Sequence, residues 1–224
     1  SSTVIKTVLA SITNKSELDK VFLENRPQIV FHAAAYKHVP IQELHPWTAV
    51  KTNVGGTLNL VQVSDRYNID KFVLVSTDKA VNPVNIMGAS KRAAEKLIQS
   101  YNEKSKTTFI AVRFGNVLGS SGSAIPTFKK QIEQGGPITI THPEMTRYFM
   151  SIQEASQLIL QSCALGNDGE VFTFKLIPKV SSGTYSLSVH NAFITNKDSE
   201  NLISASYNGS ITVNSPRIEI TPSS

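Results

Sequence analysis

The sequence predicts an α/β protein, with a parallel sheet and flanking helices, followed by a small antiparallel all-β segment. Short apolar runs alternate with amphipathic, helix-like segments through about three quarters of the chain, and this alternation is typical of right-handed β-α-β units. Beyond Val171 the helical spacing stops, and strand-like alternation begins in a stretch rich in serine, threonine and asparagine. An apolar content of 40% is ordinary for a globular protein of 224 residues.

The elements of the α/β part follow from apolar spacing and strand-like runs. The predicted order is helix 16–25, strand 29–31, helix 47–67, strand 72–75, helix 86–101, strand 109–112, and helices 124–134 and 151–165. Gly55 and Gly56 interrupt the third of these elements, where each glycine costs about 1 kcal/mol relative to alanine. Such a cost is tolerable where another segment packs closely against the helix.

The C-terminal part is predicted to be all-β, with a junction near 170–180. Tyr185, Leu187 and Val189 alternate with polar residues, as in a half-buried strand. Asn208-Gly209 is a typical hairpin turn, and it predicts a hairpin between 203–207 and 210–213. We expect residues 181–214 to form antiparallel strands.

Charge and cysteine content exclude several classes of function. The net charge is +5 and the lysines are scattered, so we expect no nucleic-acid partner. No run approaches 18 apolar residues, so the sequence predicts no membrane span. The single cysteine, Cys163, is expected to be a buried thiol in a reducing, cytoplasmic compartment. His32, His38 and His142 lack the spacing of a metal site, so we expect no metal.

The chemistry-bearing residues follow the strand predicted at 72–75. Ser76, Thr77, Asp78 and Lys79 place two hydroxyls, a carboxylate and an amine in succession, and Lys91 follows on the next helix. Open α/β sheets bind their ligands at the carboxyl ends of strands, so this order predicts an active site. The alternative is a solvated loop ion pair between Asp78 and Lys79, which would contribute little.

Six stretches of sequence, two of which contain the residues just named, resemble one family. Residues 9–172 resemble the extended short-chain dehydrogenase/reductases of bacterial polysaccharide biosynthesis, of the UDP-N-acetylglucosamine 4,6-dehydratase type. The matching text is FHAAAYKHVP, KTNVGGT, STDKAVNPVN, MGASKRAAEK, RFGNVLGSSGS and THPEMTRYFM. The resemblance implies a partial Rossmann-type sheet and a lyase that oxidises the sugar at C4, removes water across C5 and C6, and recycles NAD.

The resemblance also implies catalytic roles. Lys79 would be the base that takes the C5 proton, Asp78 the acid for the departing C6 hydroxyl, and Thr77 a hydrogen-bond partner of the C4 oxygen. Lys91 would hold the nicotinamide ribose. Met87 stands where most short-chain dehydrogenases have a tyrosine, which favours the dehydratase subfamily over a related NAD-dependent epimerase and leaves the C4 base open.

Binding residues are carried over in the same way. Ala33, Ala34, Asn53 and Ser76, together with Lys91, would contact the cofactor. Asn116 and Arg147 would reach the UDP-sugar substrate, because arginine suits a diphosphate. The alternatives are that Asn53 bonds only local backbone, and that Asn116 and Arg147 serve as cap and solvated charge.

The resemblance is incomplete at both ends. No glycine precedes Gly55, so the glycine-rich phosphate loop of an NAD site is absent from these residues, and we expect weak NAD binding and little turnover. Long members of the family are membrane-anchored by upstream helices.

We expect two domains, a truncated dehydratase domain over 1–172 and a β segment over 173–224. Residues 173–214 resemble the last strands of a cohesin-type sandwich, so the alternative is a non-catalytic scaffold fusion, and either arrangement would allow a homo-oligomer.

Overall fold

The computed structural model describes two compact units. The described residues are 4–120, 124–139, 149–167, 169–180, 183–189, 194–195, 207–213 and 217–221. The first unit comprises residues 1–111 and 167–169, and the second comprises 112–166 and 170–224. The strand over 108–114 contributes residues to both.

The first unit alternates helices and strands. Its elements are α1 (Lys15–Asn25), β1 (Ile29–His32), α2 (Val39–Leu44), α3 (Pro46–Val50), a π-helical segment (Lys51–Gly56), α4 (Thr57–Arg66), β2 (Lys71–Val75), a 3-10 turn (Asp78–Ala80), α5 (Ile86–Asn102) and the start of β3 (Thr108–Phe114). The predicted strands and long helices are therefore present. The sequence analysis did not anticipate α2 or the 3-10 turn.

The sheet of this unit has the order β1-β2-β3. Strands β1 and β2 are parallel, with Ile29 opposite Lys71 and His32 opposite Leu74. Phe72, Val73 and Leu74 are all fully buried, and because successive strand residues point to opposite faces, both faces of β2 are covered. This burial confirms the prediction of a parallel sheet with flanking helices.

Side-chain caps define where two helices begin. The side chain of Asn14 accepts a hydrogen bond from the backbone N–H of Glu17 at the start of α1. The side chain of Asn85 does the same for Gly88 at the start of α5. Each cap satisfies an N–H that has no partner within the helix, so both starts are encoded locally.

The helix predicted over 47–67 contains a π-helical segment. The backbone stays helical from α3 through Lys51–Gly56 into α4, with Val50 and Gly56 both in right-handed helical conformation. A Cβ on Gly56 would lie 2.5 Å from the side chain of Ile12. The close neighbour expected at the glycine pair therefore exists at Gly56. No atom lies within 4 Å of a Cβ added to Gly55.

In its described residues, the second unit combines two helices with mostly short strands. Its elements are the end of β3, β4 (Asn116–Val117), α6 (Ala124–Glu133), β5 (Phe149–Met150), α7 (Ile152–Leu165), β6 (Val171–Val180), β7 (Gly183–Val189), β8 (Ile194–Thr195), β9 (Tyr207–Val213) and β10 (Arg217–Thr221). Ser151 and Glu154 form a reciprocal capping box at the start of α7. Cys163 is buried in that helix, as predicted.

The strand pairing of the second unit corrects one prediction. Asn208 and Gly209 do not form a hairpin turn, because they lie inside β9 opposite Ser188 and Leu187 of β7. All seven residues of β9 are paired with β7, and a turn at Asn208 and Gly209 would interrupt this pairing in its middle. Residues 203–206 of the predicted hairpin lie outside the described residues.

The predicted domain boundary falls within a strand. Strand β6 runs through 172 and 173, pairs antiparallel with β8 and β10, and buries Phe172 and Phe174. The division into 1–172 and 173–224 therefore stays a prediction. Across the described parts of the chain, we find no helix with the length and apolar content needed to cross a membrane.

Candidate active site

The residues following β2 form a tight polar turn. Thr77 caps the 3-10 turn, since its hydroxyl accepts from the backbone N–H of Lys79 at 3.4 Å. The same hydroxyl donates to Asp78 Oδ1 at 3.0 Å, and Lys79 Nζ lies 3.1 Å from that oxygen. All three side chains are partly exposed, so a hydroxyl, a carboxylate and an ammonium face solvent together at the carboxyl end of a buried strand.

Gly88 allows helix α5 to approach this turn. A Cβ at position 88 would lie 2.5 Å from the carbonyl oxygen of Lys79 and 3.3 Å from the Cβ of Pro83. Any larger residue would therefore push the helix away from the backbone of Lys79. The glycine of the M-G-A-S-K stretch is a packing requirement of the site.

Lys91 lies on the buried face of α5. Its side chain is 7% exposed, and Nζ donates to the carbonyl oxygen of Val75 at 2.8 Å. Burial lowers the pKa of Lys91 to about 8, and the nearby Glu95 carboxylate partly offsets this by raising that pKa. The amine is therefore held at the last residue of β2, beside the turn that carries Asp78 and Lys79.

Ser76 is bonded inside the protein. Its hydroxyl donates to Glu95 Oε1 at 2.5 Å, and Arg92 Nη1 lies 3.3 Å from the other carboxylate oxygen. Glu95 has no exposed surface. The Ser76 side chain therefore bonds within the protein, and its contact with a cofactor stays a prediction.

Asn53 connects three parts of the first unit. Its Oδ1 accepts from the backbone N–H of Tyr36 at 2.8 Å, and its Nδ2 donates to Ser90 Oγ at 2.9 Å and Gln42 Oε1 at 3.1 Å. The amide also donates to the Tyr36 carbonyl oxygen at 3.2 Å. Asn53 therefore does not bond only local backbone, because its partners lie 11 to 37 positions away in the sequence.

Ala33 and Ala34 follow β1 and are exposed. They carry no side chain beyond Cβ, so a ligand could approach the backbone here. Asn53 holds the neighbouring backbone of Tyr36 at both its N–H and its carbonyl. The two alanines therefore lie in a loop at the carboxyl end of β1 whose backbone is held by hydrogen bonds between Asn53 and Tyr36.

His32 is a buried residue that sequence reasoning considered only as a metal ligand. Its Nε2 lies 2.9 Å from Thr57 Oγ1, which donates to the Asn53 carbonyl oxygen at 2.6 Å, so Nε2 carries the proton. Its Nδ1 is buried and has no hydrogen-bond partner among the described residues. Burial and the positive charge of Lys91 lower the pKa of His32 to about 3. No sequence signal separates such a histidine from an ordinary core residue.

Of the two predicted substrate residues, the structure describes only Asn116. Asn116 is half-buried in β4 of the second unit. Arg147 lies outside the described residues. Among the described residues, no three of the histidine, cysteine, aspartate and glutamate side chains cluster in a way that could hold a metal ion.

Sequence comparisons find related proteins over most of the chain. A family described as polysaccharide biosynthesis protein matches residues 1–204. The chain is similar to the capsular polysaccharide biosynthesis protein CapD of Staphylococcus aureus, with 57% identity over 170 residues, 75% of this chain and 28% of that protein. It is 39% identical over 174 residues to a UDP-glucose 4-epimerase of Rickettsia bellii, covering 76% of this chain and 50% of that enzyme.

Solved structures show the same fold. Pen from Bacillus thuringiensis matches with a TM-score of 0.71 and 37% identity, covering 75% of this chain and 52% of that one. DesIV, a dTDP-glucose 4,6-dehydratase from Streptomyces venezuelae solved with NAD and DAU bound, matches with a TM-score of 0.68 and 20% identity. That match covers 73% of this chain and 56% of DesIV.

The family match and the similarity to CapD show the family of this chain. The chain spans between 28% and 56% of the lengths of these four proteins. Its matched region includes the polar turn at 76–79, the buried Lys91 and the small residues at the end of β1. The chain belongs to the polysaccharide biosynthesis protein family.

Proposed function

We propose that this chain carries the sugar-reacting residues of an NAD-dependent nucleotide-sugar 4,6-dehydratase acting on UDP-N-acetylglucosamine. The observation that carries the proposal is the partly exposed Asp78–Lys79 pair, with Lys79 Nζ 3.1 Å from Asp78 Oδ1 at the carboxyl end of β2 and the buried Lys91 amine bonded to Val75. An acid and a base side by side are what removal of water across C5 and C6 of a sugar requires.

The residues fit a nicotinamide cofactor at two points. Ala33 and Ala34 are exposed and small, and the buried amine of Lys91 can donate hydrogen bonds to ribose hydroxyls. NAD, when bound, would supply hydride acceptance from C4 and its return at C6. Lys91 would then orient the ribose, while Asn53 keeps the loop behind the two alanines in place through Tyr36.

The chain's own residues would handle the protons. Transfer of a proton from the Lys79 ammonium to the Asp78 carboxylate would give a neutral amine and a carboxylic acid. Lys79 would then take the C5 proton once C4 is a ketone, and Asp78 would give its proton to the departing C6 hydroxyl. Thr77 would hydrogen-bond the C4 oxygen in place of its present bond to Asp78. Asn116 and Arg147 stay proposed contacts of the UDP moiety.

An epimerase is the second candidate, favoured by the similarity to the Rickettsia bellii enzyme. Two observations count against it. Met87 is buried at 5% exposure and carries no transferable proton, and an epimerase would not need Asp78 and Lys79 to remove water from the sugar. The two candidates differ in product, because a dehydratase releases water and an epimerase gives an isomer of its substrate.

A chimera tests the proposal. Residues 9–172 replace the segment of Staphylococcus aureus CapD that they match, and the chimera is incubated with NAD and UDP-N-acetylglucosamine in deuterated water. We expect a 4-keto-6-deoxy sugar with deuterium at C5, found by mass spectrometry and NMR. Lys79→Ala should abolish C5 exchange, while Lys96→Ala, at an exposed position on α5, should not.

The results separate the candidates. An isomeric product at C4 without loss of water would support the epimerase, and no binding of either NAD or the sugar nucleotide would support a scaffold protein. The resemblance of 173–214 to a cohesin module, a cytoplasmic location and self-association also stay proposals. Light scattering of the purified chain measures the last of these.

A further inference from the structure

We propose that Glu95 is the positioning residue of this site, holding the start of the 76–79 turn through Ser76 and keeping a negative charge beside Lys91. Glu95 is fully buried and one helical turn beyond Lys91 on α5. The catalytic meaning of this role rests on the dehydratase function proposed above. The contacts themselves do not depend on it.

Two bonds join α5 to consecutive residues at the end of β2. Lys91 Nζ donates to the Val75 carbonyl oxygen at 2.8 Å, and Ser76 donates to Glu95 at 2.5 Å. The chain then enters Thr77 and Asp78. A strand end held at two successive residues gives the following turn little freedom, and a proton donor must be placed to within about half an ångström.

The buried charge of Glu95 needs a reason, because a buried carboxylate is costly unless it is paired. Arg92 lies 3.3 Å from Oε2, and the positively charged amine of Lys91 lies on the same helical face. Two basic groups therefore flank one carboxylate inside the protein. A neutral glutamine could accept the hydrogen bond of Ser76 equally well. The negative charge of Glu95 is therefore explained by its interaction with Lys91 and Arg92.

Two variants separate position from charge. Glu95→Gln keeps an oxygen within reach of Ser76 but removes the charge. Glu95→Asp keeps the charge but shortens the side chain, so that it no longer reaches Ser76. Ser76→Ala removes only the hydroxyl and serves as a third variant that should fold. Glu24→Gln, at an exposed position on α1, is the matched control.

The readouts are NMR titration of Lys91, labelled at Cε, and the backbone amide shifts of Thr77, Asp78 and Lys79. Glu95→Gln should lower the Lys91 titration midpoint by about one pH unit and leave the turn amides near their wild-type positions. Glu95→Asp and Ser76→Ala should shift the turn amides and leave the midpoint within a few tenths of a unit. Glu24→Gln should change neither measurement.

The proposal fails if Glu95→Gln leaves the midpoint unchanged, or if Glu95→Asp and Ser76→Ala both leave the turn amides unchanged. If a Glu95 variant does not fold, Ser76→Ala alone decides the positioning role. These measurements need no turnover, so they stand even if the chimera makes no product. In an active chimera, Ser76→Ala should lower kcat about tenfold with KM little changed, because it misplaces Asp78 without removing a substrate contact.

Discussion

At the scale of single residues, the site is built at the expense of stability. Lys91 and Glu95 are ionisable and buried beneath the end of β2, where apolar side chains would pack without desolvation cost. His32 is buried beside them with one ring nitrogen lacking a partner among the described residues. Such groups are characteristic of sites selected for chemistry, and their titration gives two predictions.

Lys91 should make stability rise with pH in the alkaline range. Its pKa is about 8 in the folded chain against 10.5 for the ordinary side chain. Between these values the unfolded chain binds more protons than the folded one, so unfolding becomes harder as pH rises. Lys91→Met should remove up to about 3 kcal/mol of this dependence between pH 8 and 10.5, measured by urea unfolding. The same change at exposed Lys96 should not, and equal pH profiles for wild type and Lys91→Met would contradict the prediction.

His32 should make the free energy of unfolding fall as the pH drops through the acidic range. Its pKa is about 3 in the folded chain against 6.5 ordinarily, so only the unfolded chain gains a proton as pH falls from 6.5 toward 3. Stability should therefore fall by up to about 1.4 kcal/mol per pH unit in this window, and His32→Gln should flatten that slope. Urea unfolding at several pH values measures it. His38→Gln, at an exposed position, is the control, and an unchanged slope in His32→Gln would disprove the assignment.

At the scale of elements, helix packing decides which glycines matter. Gly88→Ala should destabilise the chain by about 1–3 kcal/mol, because the added methyl meets the backbone carbonyl of Lys79. Gly55→Ala is the matched control, since nothing lies within 4 Å of its Cβ and alanine is the better helix former by about 1 kcal/mol. Thermal unfolding measures both. Similar effects at the two positions would show that α5 does not closely approach the turn.

At the scale of the whole molecule, the first unit should be independent of the C-terminal strands. Its residues are 1–111 and 167–169, so deletion from Ser181 onward removes none of them. We expect the amides of β2 and α5 to keep their hydrogen-exchange protection, and ligand binding to stay unchanged. If the deletion instead exposes those amides, the chain is one cooperative domain and the predicted junction is wrong.

A larger deletion, which begins at residue 167, provides the contrast. Ending the chain at Gly166 also removes Gly169, whose N–H donates to the Phe109 carbonyl oxygen at 3.2 Å and whose carbonyl accepts from Gln99. This loss should lower the melting temperature by several degrees, because β6 with the buried Phe172 and Phe174 is removed and two hydrogen bonds on α5 and β3 are left unmade. An unchanged melting temperature would show that residues 167–169 are dispensable.

The sequence by itself determined the strands and the long helices of the first unit, but not α2 or the 3-10 turn. The apolar run of β2 is a local pattern that the sequence analysis used, and the helix caps at Asn14 and Asn85 are local patterns that it did not use. Local patterns act through hydrogen bonds and apolar faces within a few residues, so they can be recognised without knowing the fold.

Only the tertiary structure decided which partners these residues take. The hydroxyl of Ser76 bonds Glu95, 19 residues away, and Asn53 bonds Ser90, 37 residues away. Gly209 lies in the middle of a strand because β7 pairs with it, although its neighbour Asn208 favours a turn. These outcomes depend on segments far apart in sequence, and the free energy of pairing and burial outweighs the local preference.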